Sequence, residues 1–203
     1  IRYPQSLAPN YSNYVDSNWG YTKAARAEFL RLYSIDPVDI EYDNPMWFQW
    51  KNYRMGKITQ FVQKINSLCR PNNITLTAVI FPNQEMALST KMQDWKTWSM
   101  MDLVDGFTPL FLTCDSQTAM NLMGNVVRNK TSKTKLYGGL FVTFMNGSNS
   151  DLIKQIHAAR KYCLNGLIIF DYAHLKDSYI DALTDSVFRP LRYQERGYRR
   201  GRG

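Results

Sequence analysis

Apolar positions along the chain fall into two alternating kinds of run. Short continuous runs rich in β-branched and aromatic residues predict buried strands. Longer stretches with apolar residues every three or four positions predict amphipathic helices. Four runs of the first kind occupy residues 74–81, 103–112, 135–144 and 166–170. The helical kind comes before, between and after them. One helix ends near Tyr33 and carries Ala25, Phe29 and Leu32. A long one over 45–69 repeats Ile58, Phe61, Val62, Ile65 and Leu68 at helical spacing. A loop bearing Asn83, Gln84 and Glu85 leads to a short helix over 94–101. Ala119, Leu122, Met123, Val126 and Val127 form a stripe behind Asp115, a suitable N-cap. Leu152, Ile156, Ala159 and Cys163 follow the turn Asn146-Gly147-Ser148, and Ile180, Leu183, Val187 and Phe188 precede the helix-ending Pro190.

Strands alternating with helices predict a parallel sheet joined by right-handed crossovers. Strands that are continuously apolar predict a sheet covered on both faces. The order fits an α/β fold, the C-terminal half of a (β/α)8 TIM barrel. The chain opens on Ile1-Arg2-Tyr3-Pro4 rather than Met, which suggests a start at the tip of an internal strand with the N-terminal strands missing. An open doubly wound sheet is the structural alternative. No glycine-rich phosphate loop follows a strand, so nothing points to a nucleotide. Residues 1–188 form the partial barrel in this reading, and residues 189–203 a basic Arg/Gly-rich tail.

Charge changes the picture little. The net +8 is concentrated at the end: six arginines against Glu195 give the last fifteen residues +5, leaving +3 for the rest. A body so mildly basic does not argue for nucleic acid. The tail is similar to short Arg/Gly-rich RNA-binding segments, but its length favours a solvated end, and no nucleic-acid partner is expected. Cys69, Cys114 and Cys163 lack disulfide or zinc spacing. Cys69 and Cys163 are expected to be buried thiols. His157 and His174 do not make a multi-His metal site, and neither metal nor cofactor is implied. No apolar run approaches the roughly 20 residues that span a bilayer.

Several motifs together resemble one family, the glycosyl-hydrolase-like family 10 domain, a (β/α)8 group. Ile1-Arg2-Tyr3-Pro4 resembles the end of its strand-four motif. Trp50-Lys51 with Arg54 resembles its Trp-Arg-Arg helix, and Ala78 to Pro82 its strand five. Gln93-Asp94-Trp95-Lys96-Thr97-Trp98 matches its Gln-Asp-Trp-x-x-Trp. Val104-Asp105, Thr108-Pro109, Gln155-Ile156, Ala159-Arg160, Gly166 and Phe170-Asp171-Tyr172 follow in the family's order. One departure stands out: Leu112 occupies the place of a strand-six Tyr, so its hydroxyl is lost. The resemblance implies hydrolysis of a polysaccharide, such as a bacterial cell-wall glycan, by a protein outside the cell, in the periplasm or on the cell surface. It also implies a strand-four Asp upstream of Ile1, so that residues 1–203 alone would be inactive.

Glycoside hydrolysis needs two carboxyl groups flanking one bond. Barrel enzymes collect such groups at the C-terminal ends of strands. Asp94 and Asp171 are the expected catalytic residues, each a candidate partner of the upstream Asp, leaving neighbouring loops on one barrel face. Arg2, Tyr3, Glu85, Trp95 and Tyr172 are the expected substrate-binding residues, the aromatic rings as platforms for sugar faces. Trp19 falls in a loop on the same side. Trp98, one turn beyond Trp95, is read as core, and Asp105, at the start of its strand, as structural. A sugar-binding barrel of reduced activity is the rival reading, motivated by Leu112.

Overall fold

The computed structural model describes residues 20–41 and 43–188. Arg2, Tyr3, Trp19 and the tail 189–203 lie outside them. Four strands, β1 (Thr77–Ile80), β2 (Gly106–Phe111), β3 (Lys135–Phe141) and β4 (Gly166–Phe170), form one sheet. All neighbours are parallel, and spatial order follows chain order. This one-way order is compatible with half of a (β/α)8 barrel. It shows no reversal of the kind a doubly wound sheet needs.

Helices α1 (Lys23–Tyr33) and α2 (Met46–Cys69) precede the sheet. Between β1 and β2 run α3 (Gln84–Lys91) and α4 (Trp95–Met100); α5 (Ser116–Asn129), α6 (Asn149–Lys161) and α7 (Asp177–Asp185) follow the remaining strands in turn. Short polar side chains set their starts. Thr22, Asn83, Asp94, Asp115 and Ser148 each accept a backbone N–H from the first turn of the helix that follows. The loop expected at Gln84 and Glu85 is therefore the beginning of a helix, with Asn83 as its cap. The third predicted strand is shorter than expected. After Phe141 the chain turns into a 3-10 segment, Val142–Met145, closed by Asn146 at φ 49°.

Phe107, Phe111, Leu136 and Leu140 alternate onto one face of the sheet, where they pack under the helices in two core clusters. Trp95, Trp98, Ile58 and Val62 join the first cluster; Leu152, Ile156, Tyr179 and Leu183 join the second. A third cluster ties Phe29 of α1 to Trp47 and Trp50 of α2. Beside it the buried Arg54 guanidinium lies 5.2–5.3 Å from the Trp47 and Trp50 ring centres. Sheet coverage departs from expectation. Val79 and Ile168, on the opposite face of the two edge strands, are 46% and 40% exposed. Their apolar character, which makes the strands look doubly buried in sequence, is not matched by a layer packed on that face among the described residues.

The strand starts are stitched by side chains that imitate backbone. Asp105 donates its N–H to Leu76 C=O at 2.8 Å and accepts Leu76 N–H on its carboxylate at 2.7 Å. Asn165 does the same with Leu136, at 2.8 and 2.9 Å. Asp105 is structural, as its position suggested. Cysteine placement differs from the sequence reading: Cys69 is only partly buried and Cys163 is exposed. Cys163 stands in the turn after α6 at φ 53°, beyond the apolar stripe it seemed to extend. No helix among the described residues is long and apolar enough to cross a membrane.

Candidate active site

The C-terminal end of β4 carries a tight turn with an Asp–His pair. Asp171 follows the strand directly and caps the 3-10 turn Tyr172–His174. Its carboxylate accepts the backbone N–H of His174 at 3.2 Å and faces the imidazole Nδ1 of the same residue at 2.7 Å. The His174 side-chain bond, joined by that backbone N–H, holds the Asp171 carboxyl below the ordinary carboxylate range. Asp171 is thus an anion at neutral pH. That suits a base, a nucleophile or an electrostatic partner, and does not suit a proton donor, whose pKa must be raised.

A groove of about 250 Å³ adjoins this turn, lined by Thr143, Asn146, His174, Lys176 and Tyr179. Tyr179 is 1% exposed and rises from α7 beneath it. Its hydroxyl accepts Gly147 N–H at 2.9 Å and donates to Val142 C=O at 3.4 Å. One buried phenol therefore fastens both ends of the β3 tip loop. His174, Lys176, Asn146 and Tyr179 escaped sequence reasoning. The available signal was the Asp171-x-x-His174 spacing, which a single tight turn brings into contact.

Asp94 stands elsewhere. It caps α4, accepting Thr97 N–H at 3.2 Å. It borders a groove against Asn52, Gly56, Thr59 and Gln60 of α2, within the helical layer. The expectation that Asp94 and Asp171 leave neighbouring loops does not hold. β1 and β4 are opposite edges of the sheet, three strand spacings or about 14 Å apart. Trp95 is also corrected: it is fully buried, with its ring 5.9 Å from that of Phe107. The helical stripe that includes Trp98 carries it into the core, so it offers no platform to a sugar. Glu85 is exposed in the first turn of α3 and does not line the β4 groove. Tyr172 is 92% exposed in the turn after β4. Among the described residues no group of three or more His, Cys, Asp or Glu could hold a metal ion.

Compared with known proteins, the chain matches no family model and none of the curated sequences.

Proposed function

We propose that the chain is the later half of a glycoside-hydrolase-like (β/α)8 barrel that acts on a polysaccharide through carboxylate chemistry. The observation that carries this reading is Asp171. It lies at the C-terminal end of a strand in a sequentially ordered parallel sheet, ionised, fixed by His174 and beside a groove that His174 itself lines. Strand tips are where barrels of this architecture place their chemistry. The order of motifs from Trp50 to Tyr172 is the further support.

In this reading Asp171 works as an anion, stabilising positive charge at the sugar ring or activating water. The proton for the leaving oxygen comes from a different carboxyl, and Asp94, tied up as a helix cap in the outer layer, is not that group. The test is Asp171→Asn in the full-length protein, assayed for new reducing ends on a panel of polysaccharides. Turnover should fall at least about 100-fold. Unchanged turnover overturns the assignment.

The second reading is a sugar-binding barrel without turnover. Leu112 favours it: 41% exposed just beyond the end of β2, it offers an aliphatic side chain where the resembling family has a phenol. Saturable glycan binding by a full-length protein that releases no reducing ends supports this second reading.

A further inference from the structure

The tips of β3 and β4 hold three phenylalanine rings in one connected arrangement. Phe141 and Phe170 stack at 4.6 Å with their planes 10° apart, and Phe144 meets Phe141 edge-on at 6.0 Å. Phe144 is 44% exposed. It stands in the short turn Val142–Met145, whose ends Tyr179 fastens to α7. An exposed phenylalanine on a slack loop would ordinarily fold away from water. This one stands on a turn fixed by a buried hydroxyl, and Phe141, itself stacked on Phe170, meets it edge-on. Tyr172, by contrast, has no ring partner among the described residues.

We propose that Phe144 is a stacking platform for a pyranose ring whose substituents are equatorial. The inference rests on the glycan reading above and names the substrate class of that site. An aromatic face carries negative charge density and attracts weakly positive C–H groups. A pyranose presents a flat C–H face only where its hydroxyls and linkages project sideways, as they do throughout a β-linked, all-equatorial chain. Polar groups suited to those hydroxyls share its turn: Thr143 and Asn146 neighbour Phe144 in sequence and line the β4 groove with His174 and Lys176. That groove, about 250 Å³, is below the roughly 300–1,000 Å³ of a complete ligand pocket, so it matches one subsite of a longer chain. Because the turn is already fixed, little ordering cost opposes binding.

The test compares cello-oligosaccharide and chito-oligosaccharide, both all-equatorial, with malto-oligosaccharide, whose axial linkages break the flat face. Calorimetry on the full-length protein should show binding of at least one of the first two and weaker binding of the third. Phe144→Ala should weaken that binding about tenfold, with the urea midpoint unchanged, and Phe144→Tyr should restore it. Wild-type affinity in Phe144→Ala overturns the proposal. So does a change of oligomeric state in Phe144→Ala with glycan affinity intact, which assigns the ring to a protein interface. If Asp171-dependent cleavage of some other glycan is found while neither equatorial probe binds, this inference fails and the functional reading stands. If Phe144-dependent binding is seen but Asp171→Asn leaves turnover unchanged, the catalytic assignment of Asp171 fails and the platform stands.

Discussion

Asp171 and His174 hold each other across one tight turn: the carboxylate takes both the backbone N–H and the imidazole Nδ1 of His174, at 3.2 and 2.7 Å. The relation is local in sequence and independent of the rest of the sheet, so the β4 tip carries its own polarity. Its chemical consequence is an aspartate that stays ionised to lower pH than usual.

The first prediction follows from the sign of that shift. A carboxyl whose folded pKa is depressed adds stability above its unfolded pKa, near 3.9, and that contribution is lost as pH falls through the lower folded value. Unfolding midpoints measured from pH 5 downward should therefore drop with an Asp171-dependent component. Asp171→Asn should lose that contribution near neutrality and flatten the fall in acid, so that the two profiles converge at low pH. A profile identical in both proteins would show that the pair contributes nothing. Because both groups are more than half exposed, the component should also shrink in high salt.

Asp94 and Trp95 separate capping from packing. Asp94→Ala should cost about 0.5–2 kcal/mol, the usual range for a lost N-cap, and Asp94→Asn much less, since a carboxamide oxygen accepts the Thr97 N–H equally well. Trp95→Ala should cost about 3–5 kcal/mol by emptying a fully buried site against Phe107. Chemical denaturation of the three variants checks both values. A stable Trp95→Ala protein with lost glycan affinity would return that ring to the binding surface.

These two residues also show what the sequence makes legible. Strand order, parallel pairing and most helix positions follow from apolar periodicity, because burial against one sheet face sets that period. Asp115, Ser148 and Asp105 follow from local backbone needs at helix and strand ends. The rim was harder to see. Trp95 and Trp98 belong to one helical stripe, but a tryptophan beside a loop looks the same in sequence whether it faces the core or a ligand. Asp94 and Asp171 both follow strands, but intervening α3 carries Asp94 into the helical layer, and that short helix looked like part of a loop. Phe144 was absorbed into an overlong strand, since nothing in Val142-Thr143-Phe144-Met145 itself breaks the apolar run; the hydroxyl that turns it comes from Tyr179, thirty-five residues on from Phe144.

The stitches at the strand starts predict a contrast between charge and shape. Asp105→Ala removes the acceptor for Leu76 N–H and should destabilise the fold by about 1 kcal/mol, the net worth of a typical hydrogen bond. Asp105→Asn should recover most of it, because Asn165 already performs the equivalent task for Leu136 with a carboxamide. If both substitutions cost the same, the contribution is one of charge and not of geometry. Thermal unfolding of the two variants side by side decides between them.

Gln93 makes the last prediction. Its side chain is 2% exposed; its oxygen accepts Phe81 N–H at 3.0 Å and its amide donates to Val79 C=O at 3.2 Å. Leu76 N–H and C=O both point toward β2, so by strand alternation Val79 and Phe81 point their backbone groups to the side of β1 away from β2. Gln93 therefore serves backbone groups on that side of β1 with one side chain, as a strand's backbone would. Gln93→Leu keeps the volume and removes both partners. It should cost about 1–3 kcal/mol, the penalty for stripping partners from buried backbone groups. Gln93→Glu keeps the acceptor for Phe81 N–H but sets an anion against Val79 C=O, so its loss should be at least as large. Urea unfolding measures both losses. An unchanged unfolding midpoint in Gln93→Leu would show that other partners satisfy these backbone groups as well as the carboxamide does.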